Sequence, residues 1–216
     1  GGKESQATIF AAMSALGAFI TQKPVKIRLN RHTDMTATGK RHNFKVFFTV
    51  GFTTTGKLLA LDIKLLSNGG NVLDLSGPVI TRALTHLDNC YFIKSLKAIG
   101  YLCKTNTVSN TAFRGFGGRQ GMLTIENIIY SVSQFLNKPI DEIRKVNYYS
   151  SQNGLKTPYG QIVKNPRIEK ILNEIKKLSD YNERIKDIKE FNLNQKKYNL
   201  PFRNGIAMMP SIFGIS

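Results

Sequence analysis

The sequence has no tryptophan, only two cysteines, and fewer than half as many acidic as basic residues. Cys90 and Cys103 do not form a Cys-x-x-Cys pair, which argues against a zinc or iron–sulfur site built by this segment alone. So few cysteines favour a reducing compartment, and we expect a cytoplasmic location. No run of eighteen apolar residues is present, so no membrane span is expected. The missing initiator Met and leader predict an excerpt of a longer polypeptide.

The shortage of acids leaves a net charge of +17, which raises the hypothesis of a basic nucleic-acid-binding protein. The lysines are dispersed, however, and many fall on the solvent side of two predicted C-terminal helices. Abundant Lys, Asn and Ile together are also the pattern expected of an AT-rich genome. A basic surface could equally face an acidic partner subunit. We therefore keep nucleic-acid binding only as a rival hypothesis.

The order of predicted elements indicates an α+β protein with mixed or antiparallel sheet segments and packed helices. Strands are expected at residues 25–30, 43–52, 57–67, 95–104 and 205–209, with the second and third forming an antiparallel hairpin. Helices are expected at residues 4–21, from 122 and 138 onward, and at 166–178 and 180–191. Residues 75–87 are expected to form a loop and a short helical piece that Pro78 interrupts.

The glycine-rich turn, residues 111–121, is the most informative segment. It contains four glycines, two arginines and two phenylalanines, and an amphipathic helix follows at once. Such a turn exposes backbone N–H groups that suit an anionic or oxo ligand. Phe116 is of little use to folding there and is a candidate for a pocket wall. A tight connection and an arginine–glycine RNA-binding segment are the alternatives.

Three further positions are candidates for ligand binding. Glu4 stands at a predicted helix start, where simple capping would also favour a carboxylate. Arg82 lies among apolar neighbours, and the local sequence does not decide between a structural ion pair and a ligand contact. Arg114 lies in the glycine-rich turn. A carboxylate, a guanidinium and an exposed aromatic ring suit a flat heterocycle with donors and acceptors. The three histidines have no ligand-like spacing.

Five segments share the same order along the chain with one known family: residues 1–4 (Gly-Gly-Lys-Glu), 88–91 (Asp-Asn-Cys-Tyr), 102–106 (Leu-Cys-Lys-Thr-Asn), 109–118 (Ser-Asn-Thr-Ala-Phe-Arg-Gly-Phe-Gly-Gly) and 213–216 (Phe-Gly-Ile-Ser). They resemble the molybdenum-binding part of xanthine dehydrogenase, in the xanthine oxidase and aldehyde oxidase family of molybdenum hydroxylases. Residues 157–161 (Thr-Pro-Tyr-Gly-Gln) resemble the bacterial branch, in which this part is usually a separate large subunit.

The resemblance implies a molybdenum–molybdopterin cofactor and a purine substrate, with hypoxanthine or xanthine hydroxylated toward urate. It also implies electron transfer through [2Fe–2S] clusters and FAD to NAD+, with those groups on a partner subunit or domain. A dimer of heterodimers is implied for the full-length enzyme. Residues 1–150 would be the first part of the molybdopterin-binding domain, with the substrate-orienting residues and the glycine-rich turn. Residues 151–216 would be a helical connection to the next part.

The resemblance also assigns roles to single residues. Glu4 would hydrogen-bond the purine, Arg82 would stabilise the negative charge that develops on it, and Phe116 would stack on its ring. The backbone of Arg114 would approach the molybdenum ligands, and no side chain is expected to ligate the metal directly. The general-base glutamate and a second stacking aromatic are expected outside this chain, so the chain alone is expected to be inactive.

Substrate choice leaves one close alternative, a molybdenum hydroxylase for aldehydes or other N-heterocycles. The presence of both Glu4 and Arg82 favours a purine, because burying either group without a matching partner would cost several kcal/mol. Arg119 stands where the family commonly has proline, which would change the stiffness of the glycine-rich turn.

Overall fold

The computed structural model describes the backbone of residues 4–213 and the side chains of residues 7–213. Within them the chain forms seven helices and three strands, in the order α1 (Glu4–Thr21), α2 (Arg31–Ala37), β1 (Phe44–Phe52), β2 (Leu58–Gly70), α3 (Ser76–Leu84), β3 (Ser95–Lys104), α4 (Gly118–Leu136), α5 (Ile140–Asn147), α6 (Ile168–Leu178) and α7 (Tyr181–Lys197). None of the helices in this described part is both long and apolar enough to cross a bilayer.

The three strands form one mixed sheet in the order β1-β2-β3. β1 and β2 pair antiparallel, and a short turn joins them, in which the Gly56 amide donates to the Thr53 carbonyl oxygen at 2.8 Å. β2 and β3 pair parallel, so the chain must cross over between them, and α3 lies in that crossover. The predicted hairpin, the β3 strand and the α+β class with a mixed sheet are confirmed.

The core lies between the sheet and helices α3, α4 and α5. Helix α4 contributes buried aliphatic side chains at helical spacing, among them Ile125, Ile129 and Val132. They meet alternate residues of β2, such as Ile63 and Leu65, which are fully buried. Helix α4 therefore shares a core with the sheet, and its N-terminal end and the preceding glycine-rich turn pack against α3.

Three local predictions were wrong. Residues 25–30 form no strand, and the Asn30 side chain instead caps α2 by accepting the Thr33 amide at 2.8 Å. Residues 205–209 are extended but have no partner strand among the described residues. Pro78 does not interrupt α3, because it lies in the first turn, where its missing N–H would have no acceptor within the helix.

Candidate cofactor and substrate cavity

One cavity of about 810 Å³ collects residues from three distant segments of the chain. Helix α3 contributes Arg82, the glycine-rich turn contributes Arg114 and Phe116, and the end of the described chain contributes Phe213. Three of the four predicted site residues therefore line the same cavity. The side chain of the fourth, Glu4, lies outside the described residues. The roles assigned to these side chains stay predictions.

The glycine-rich turn reaches the cavity through three consecutive residues with left-handed backbone. The φ angles are +100° at Gly115, +50° at Phe116 and +95° at Gly117. The Phe116 amide donates to the Phe113 carbonyl oxygen at 2.8 Å, which tightens the turn. A bulky aromatic residue seldom adopts this conformation, and such strain persists where the surrounding structure enforces it, as at binding sites. The turn thus holds the half-buried Phe116 ring at the cavity wall.

The glycines of this segment serve two different purposes. A Cβ atom at Gly117 would overlap the carbonyl oxygen of Val79, and one at Gly121 would overlap that of Ala83. These two glycines allow the turn and α4 to pack directly on α3. At Gly115, by contrast, a Cβ atom would meet only the flexible side chain of Arg119, at 2.9 Å. Close approach to another helix therefore explains more of the glycine pattern than close approach to a ligand.

Two amides of the turn remain available for an added acceptor. Those of Gly115 and Gly117 make no hydrogen bond to another described residue. Gly117 is buried, and a buried amide without an acceptor costs about 1–3 kcal/mol. Of these two glycines, Gly115 lines the cavity, together with the cationic side chains Arg82, Arg114 and Arg119. Donors and positive charge at the end of a helix suit an anionic group.

Arg82 lies in the last turn of α3, where the helix dipole favours a cation. Its guanidinium lies over the Phe213 ring, 4.8 Å from the centroid, and its carbonyl oxygen is 2.9 Å from His86 Nδ1. The His86 and Phe213 rings are 5.4 Å apart. Burial lowers the pKa of His86, so the neutral imidazole is favoured beside the arginine. The cation of Arg82 is thus held against an aromatic wall at the cavity.

Arg41 supports the glycine-rich turn from the other side and was missed by sequence reasoning. Its Nη2 donates to the Arg114 carbonyl oxygen at 2.9 Å, and its guanidinium lies 4.4 Å from the centroid of the Phe113 ring. Burial, and then repulsion by Arg119, lower the pKa of Arg41. No local pattern marks Arg41, because its contacts are with residues more than seventy positions away.

Phe213 was also missed as a cavity residue, although the motif that begins with it was noticed. Its ring would touch any side chain placed at Gly118, since a Cβ atom there would lie 3.2 Å from Phe213 Cε2. The sequence carries no local signal for this contact, because Gly118 and Phe213 lie far apart along the chain. Within the described residues, no three His, Cys, Asp or Glu side chains come together as a metal site.

Comparison with known proteins places the chain in a family. The model of the molybdopterin cofactor-binding domain matches residues 1–148. The chain therefore belongs to the molybdopterin cofactor-binding domain family, and the predicted family and molybdopterin cofactor are confirmed. The donors and positive charge around the cavity agree with an anionic cofactor of this kind.

Curated relatives match the whole chain but are much longer proteins. The chain is 43% identical over 216 residues to the xanthine dehydrogenase of Oryza sativa subsp. japonica, and 41% identical over 217 residues to the nicotinate hydroxylase of Emericella nidulans. It spans 15% of the first relative and 16% of the second.

Solved structures show the same fold. The aldehyde oxidoreductase of Desulfovibrio gigas superposes with a TM-score of 0.72 at 23% identity, over 83% of this chain and 19% of that one. The CO dehydrogenase of Oligotropha carboxidovorans superposes with a TM-score of 0.69 at 18% identity, over 86% of this chain and 24% of that one. At these identities the similarity concerns the fold.

Proposed function

We propose that this chain is part of a molybdenum hydroxylase of the xanthine dehydrogenase type, which oxidises hypoxanthine and xanthine. The observation that supports this most is the cavity that combines Arg82, Phe116 and the Gly115 amide, which makes no hydrogen bond to another described residue. A flat heterocycle with polar edges needs an aromatic wall and a charged donor at the same place. The identity to xanthine dehydrogenases over the whole chain agrees with this substrate class.

The glycine-rich turn is the part of the chain that would hold the cofactor. The amide of Gly115, with the backbone of Arg114 beside it, would donate to its anionic groups. When bound, the molybdenum–pterin group supplies the redox chemistry that hydroxylates a carbon atom with oxygen from water. The left-handed turn fixes the direction of these donors in advance, so no ordering of the loop is needed on binding.

The remaining cavity residues would orient the substrate. The Phe116 ring would stack on the heterocycle and exclude water from one face. Arg82 would donate to the oxygen of the purine and stabilise its negative charge, and the Phe213 ring limits where the guanidinium can lie. Glu4 would accept from a purine N–H at the opposite edge. A charge held in this way stabilises the transition state because it needs no reorganisation during the reaction.

The partners follow from the same proposal. The parent enzyme would transfer electrons to [2Fe–2S] clusters and FAD on another domain or subunit, and then to NAD+. We place the assembled enzyme, a dimer of heterodimers, in the cytoplasm. Helix α1 has exposed apolar side chains, among them Phe19, which is 75% exposed, and Ile20, which is 70% exposed. The rest of the parent enzyme would cover them.

The test is mutation of the orienting residues in the parent holoenzyme. Arg82→Met and Glu4→Gln should each lower kcat/KM for xanthine at least tenfold, because each removes a polar contact with the transition state that contributes about 1.4 kcal/mol or more. Arg184→Met is the matched control, since Arg184 is exposed on α7, and it should retain wild-type kinetics. If neither Arg82→Met nor Glu4→Gln slows xanthine oxidation tenfold, the substrate assignment is wrong.

One observation favours a second candidate, hydroxylation of another N-heterocycle. The Emericella nidulans nicotinate hydroxylase is 41% identical to this chain, the same value as for xanthine dehydrogenase 1 of Arabidopsis thaliana. Three arginines at one cavity would also suit a carboxylate. Steady-state kinetics with xanthine, hypoxanthine, nicotinate and benzaldehyde separates the candidates. A kcat/KM for nicotinate above that for both purines would replace the first proposal with the second.

A further inference from the structure

The C-terminal strap, residues 208–213, forms one edge of the cavity. It has no regular secondary structure and makes no backbone–backbone hydrogen bond to any described residue. Met209, Ser211 and Phe213 line the cavity, whereas Pro210 between them is buried. This alternation is the period of an extended chain with one side on the cavity. Contacts other than strand pairing must therefore fix its position.

The carboxamide of Asn89 holds the strap through two bonds. Its Nδ2 donates to the Pro210 carbonyl oxygen at 3.0 Å, and its Oδ1 accepts from the Ile212 amide at 3.0 Å. A carboxamide is suited to this because it presents a donor and an acceptor in one plane. The single side chain thus takes the place of a neighbouring strand, and it determines which strap residues face the cavity.

A buried ion pair between Glu126 and Arg144 lies next to the Asn89 carboxamide. Asn89 Nδ2 also lies 3.3 Å from Glu126 Oε1, and Glu126 Oε2 accepts from Arg144 Nη2 at 2.8 Å. Arg144 Nη1 donates to the Met208 carbonyl oxygen at 2.8 Å, which adds a third bond to the strap. Asn89 and Glu126 are only 4% and 6% exposed, so water does not compete for these bonds.

Both the backbone and the side chain favour asparagine at this position. Its φ is +45°, a conformation that asparagine and glycine adopt more readily than other residues. Aspartate would have the same shape but no donor for the Pro210 carbonyl oxygen. It would also place a second carboxylate beside Glu126 in a buried site.

The bonds of Asn89 affect the cavity through Phe213, because Phe213 directly follows Ile212, whose amide donates to Asn89. The Phe213 ring faces the Arg82 guanidinium at 4.8 Å and the His86 ring at 5.4 Å. We propose that Asn89 is a positioning residue of the cavity, which fixes the strap and so holds Phe213 against Arg82. The effect on catalysis rests on the proposed function, whereas the anchoring of the strap does not.

Asn89→Gly in the parent holoenzyme tests this, because glycine tolerates the positive φ and lacks only the carboxamide. Hydrogen exchange of the Ile212 amide, the strap amide that Asn89 accepts from, should become at least tenfold faster, with the amides of α4 unchanged. The kcat/KM for xanthine should fall about two- to fivefold at unchanged molybdenum content, as expected for loss of the contact between Phe213 and Arg82. Asn165→Gly is the matched control, since Asn165 also has a positive φ, of +51°, and is exposed. It should change neither measurement.

A double mutant separates positioning from general destabilisation. If Asn89 acts through Arg82, Asn89→Gly should not lower kcat/KM further when Arg82→Met is already present. Ile212→Pro removes the same bond from the strap side and should lower kcat/KM for xanthine by the same factor even if Asn89→Gly folds poorly. Unchanged exchange of the Ile212 amide in Asn89→Gly would overturn the anchoring. Unchanged kcat/KM in either variant, or an equal loss of kcat/KM in the Arg82→Met background, would overturn the positioning role.

The proposed function and the role of Asn89 are tested by different measurements, so either can be rejected without the other. A wild-type parent enzyme that does not oxidise purines would reject the proposed function. The exchange rates, together with the Phe213–Arg82 distance in a crystal structure of Asn89→Gly, would then decide the role of Asn89. A retained distance near 4.8 Å would overturn that role, and a displaced Phe213 ring would support it.

Discussion

The glycine-rich turn and the C-terminal strap form two walls of one cavity, but they are held in different ways. The turn is fixed by backbone packing, since Gly117 and Gly121 allow it and α4 to lie directly on α3. The strap is fixed by side chains, since Asn89 and Arg144 bond its carbonyl and amide groups. A wall held by packing is intolerant of added atoms, whereas a wall held by hydrogen bonds is sensitive to the loss of a donor or acceptor.

The largest effect is expected on the packed wall, from Gly117→Ala. The added Cβ would overlap the Val79 carbonyl oxygen, and the residue would keep a φ of +95°. Left-handed strain and overpacking together should lower the free energy of unfolding of the 216-residue chain by about 3 kcal/mol or more. Urea denaturation followed by circular dichroism measures this.

Gly77→Ala is the control for the same substitution, because nothing lies within 4 Å of a Cβ atom there and Gly77 is inside α3. It should raise the free energy of unfolding by about 0.5–1 kcal/mol, since alanine favours the helix. Equal effects of the two substitutions would show that the packed wall tolerates added volume.

The second prediction concerns the strap side and its dependence on pH. Asp88 directly precedes Asn89, and its Oδ2 accepts from Tyr149 at 2.7 Å. Burial raises the pKa of Asp88 to about 6 from 3.8, although the Tyr149 hydrogen bond opposes the change. The folded chain therefore binds this proton more tightly than the unfolded chain. Stability should fall by about 2 kcal/mol as the pH rises from about 4 to about 6.

Asp88→Asn should remove this part of the pH dependence, because asparagine cannot titrate and its carbonyl oxygen can still accept from Tyr149. Urea unfolding at several pH values between 4 and 7 provides the measurement. Asp187→Asn, an exposed change on α7, should leave the wild-type profile in place. A wild-type and an Asp88→Asn profile that coincide would contradict the buried, protonated state of Asp88.

The smallest effect is expected where the two walls meet the substrate, from Phe213→Leu. Leucine keeps the strap apolar but removes the ring that faces Arg82. A cation–π contact at a half-exposed site contributes about 0.5–1 kcal/mol, so KM for xanthine in the parent holoenzyme should rise about two- to fivefold. Phe202→Leu, at an exposed position outside the strap, is the control and should leave KM unchanged. An unchanged KM in Phe213→Leu would show that the Phe213 ring does not affect substrate binding.

The two walls also differ in how far the sequence predicted them. The glycine-rich turn was recognised because its glycines, Phe116 and the following helix are contiguous, and local chemistry determines such a motif. The strap was not predicted, and residues 205–209, which overlap its first two residues, were mistaken for a strand, since an apolar segment has the same pattern whether a strand or a side chain pairs with it. Its anchor could not be found locally, because Asn89 and Ile212 are 123 positions apart.

Periodicity and contiguous motifs were enough to predict the amphipathic helices, the β1–β2 hairpin and the family, because these depend on neighbouring residues. The same local chemistry made Arg82, Arg114 and Phe116 candidates for ligand binding. The fold was needed to show that these three residues share one cavity and that Phe213 faces Arg82. It also showed that two of the turn's glycines serve helix packing. These facts depend on contacts between distant segments, which form only when burial of the common core brings those segments together.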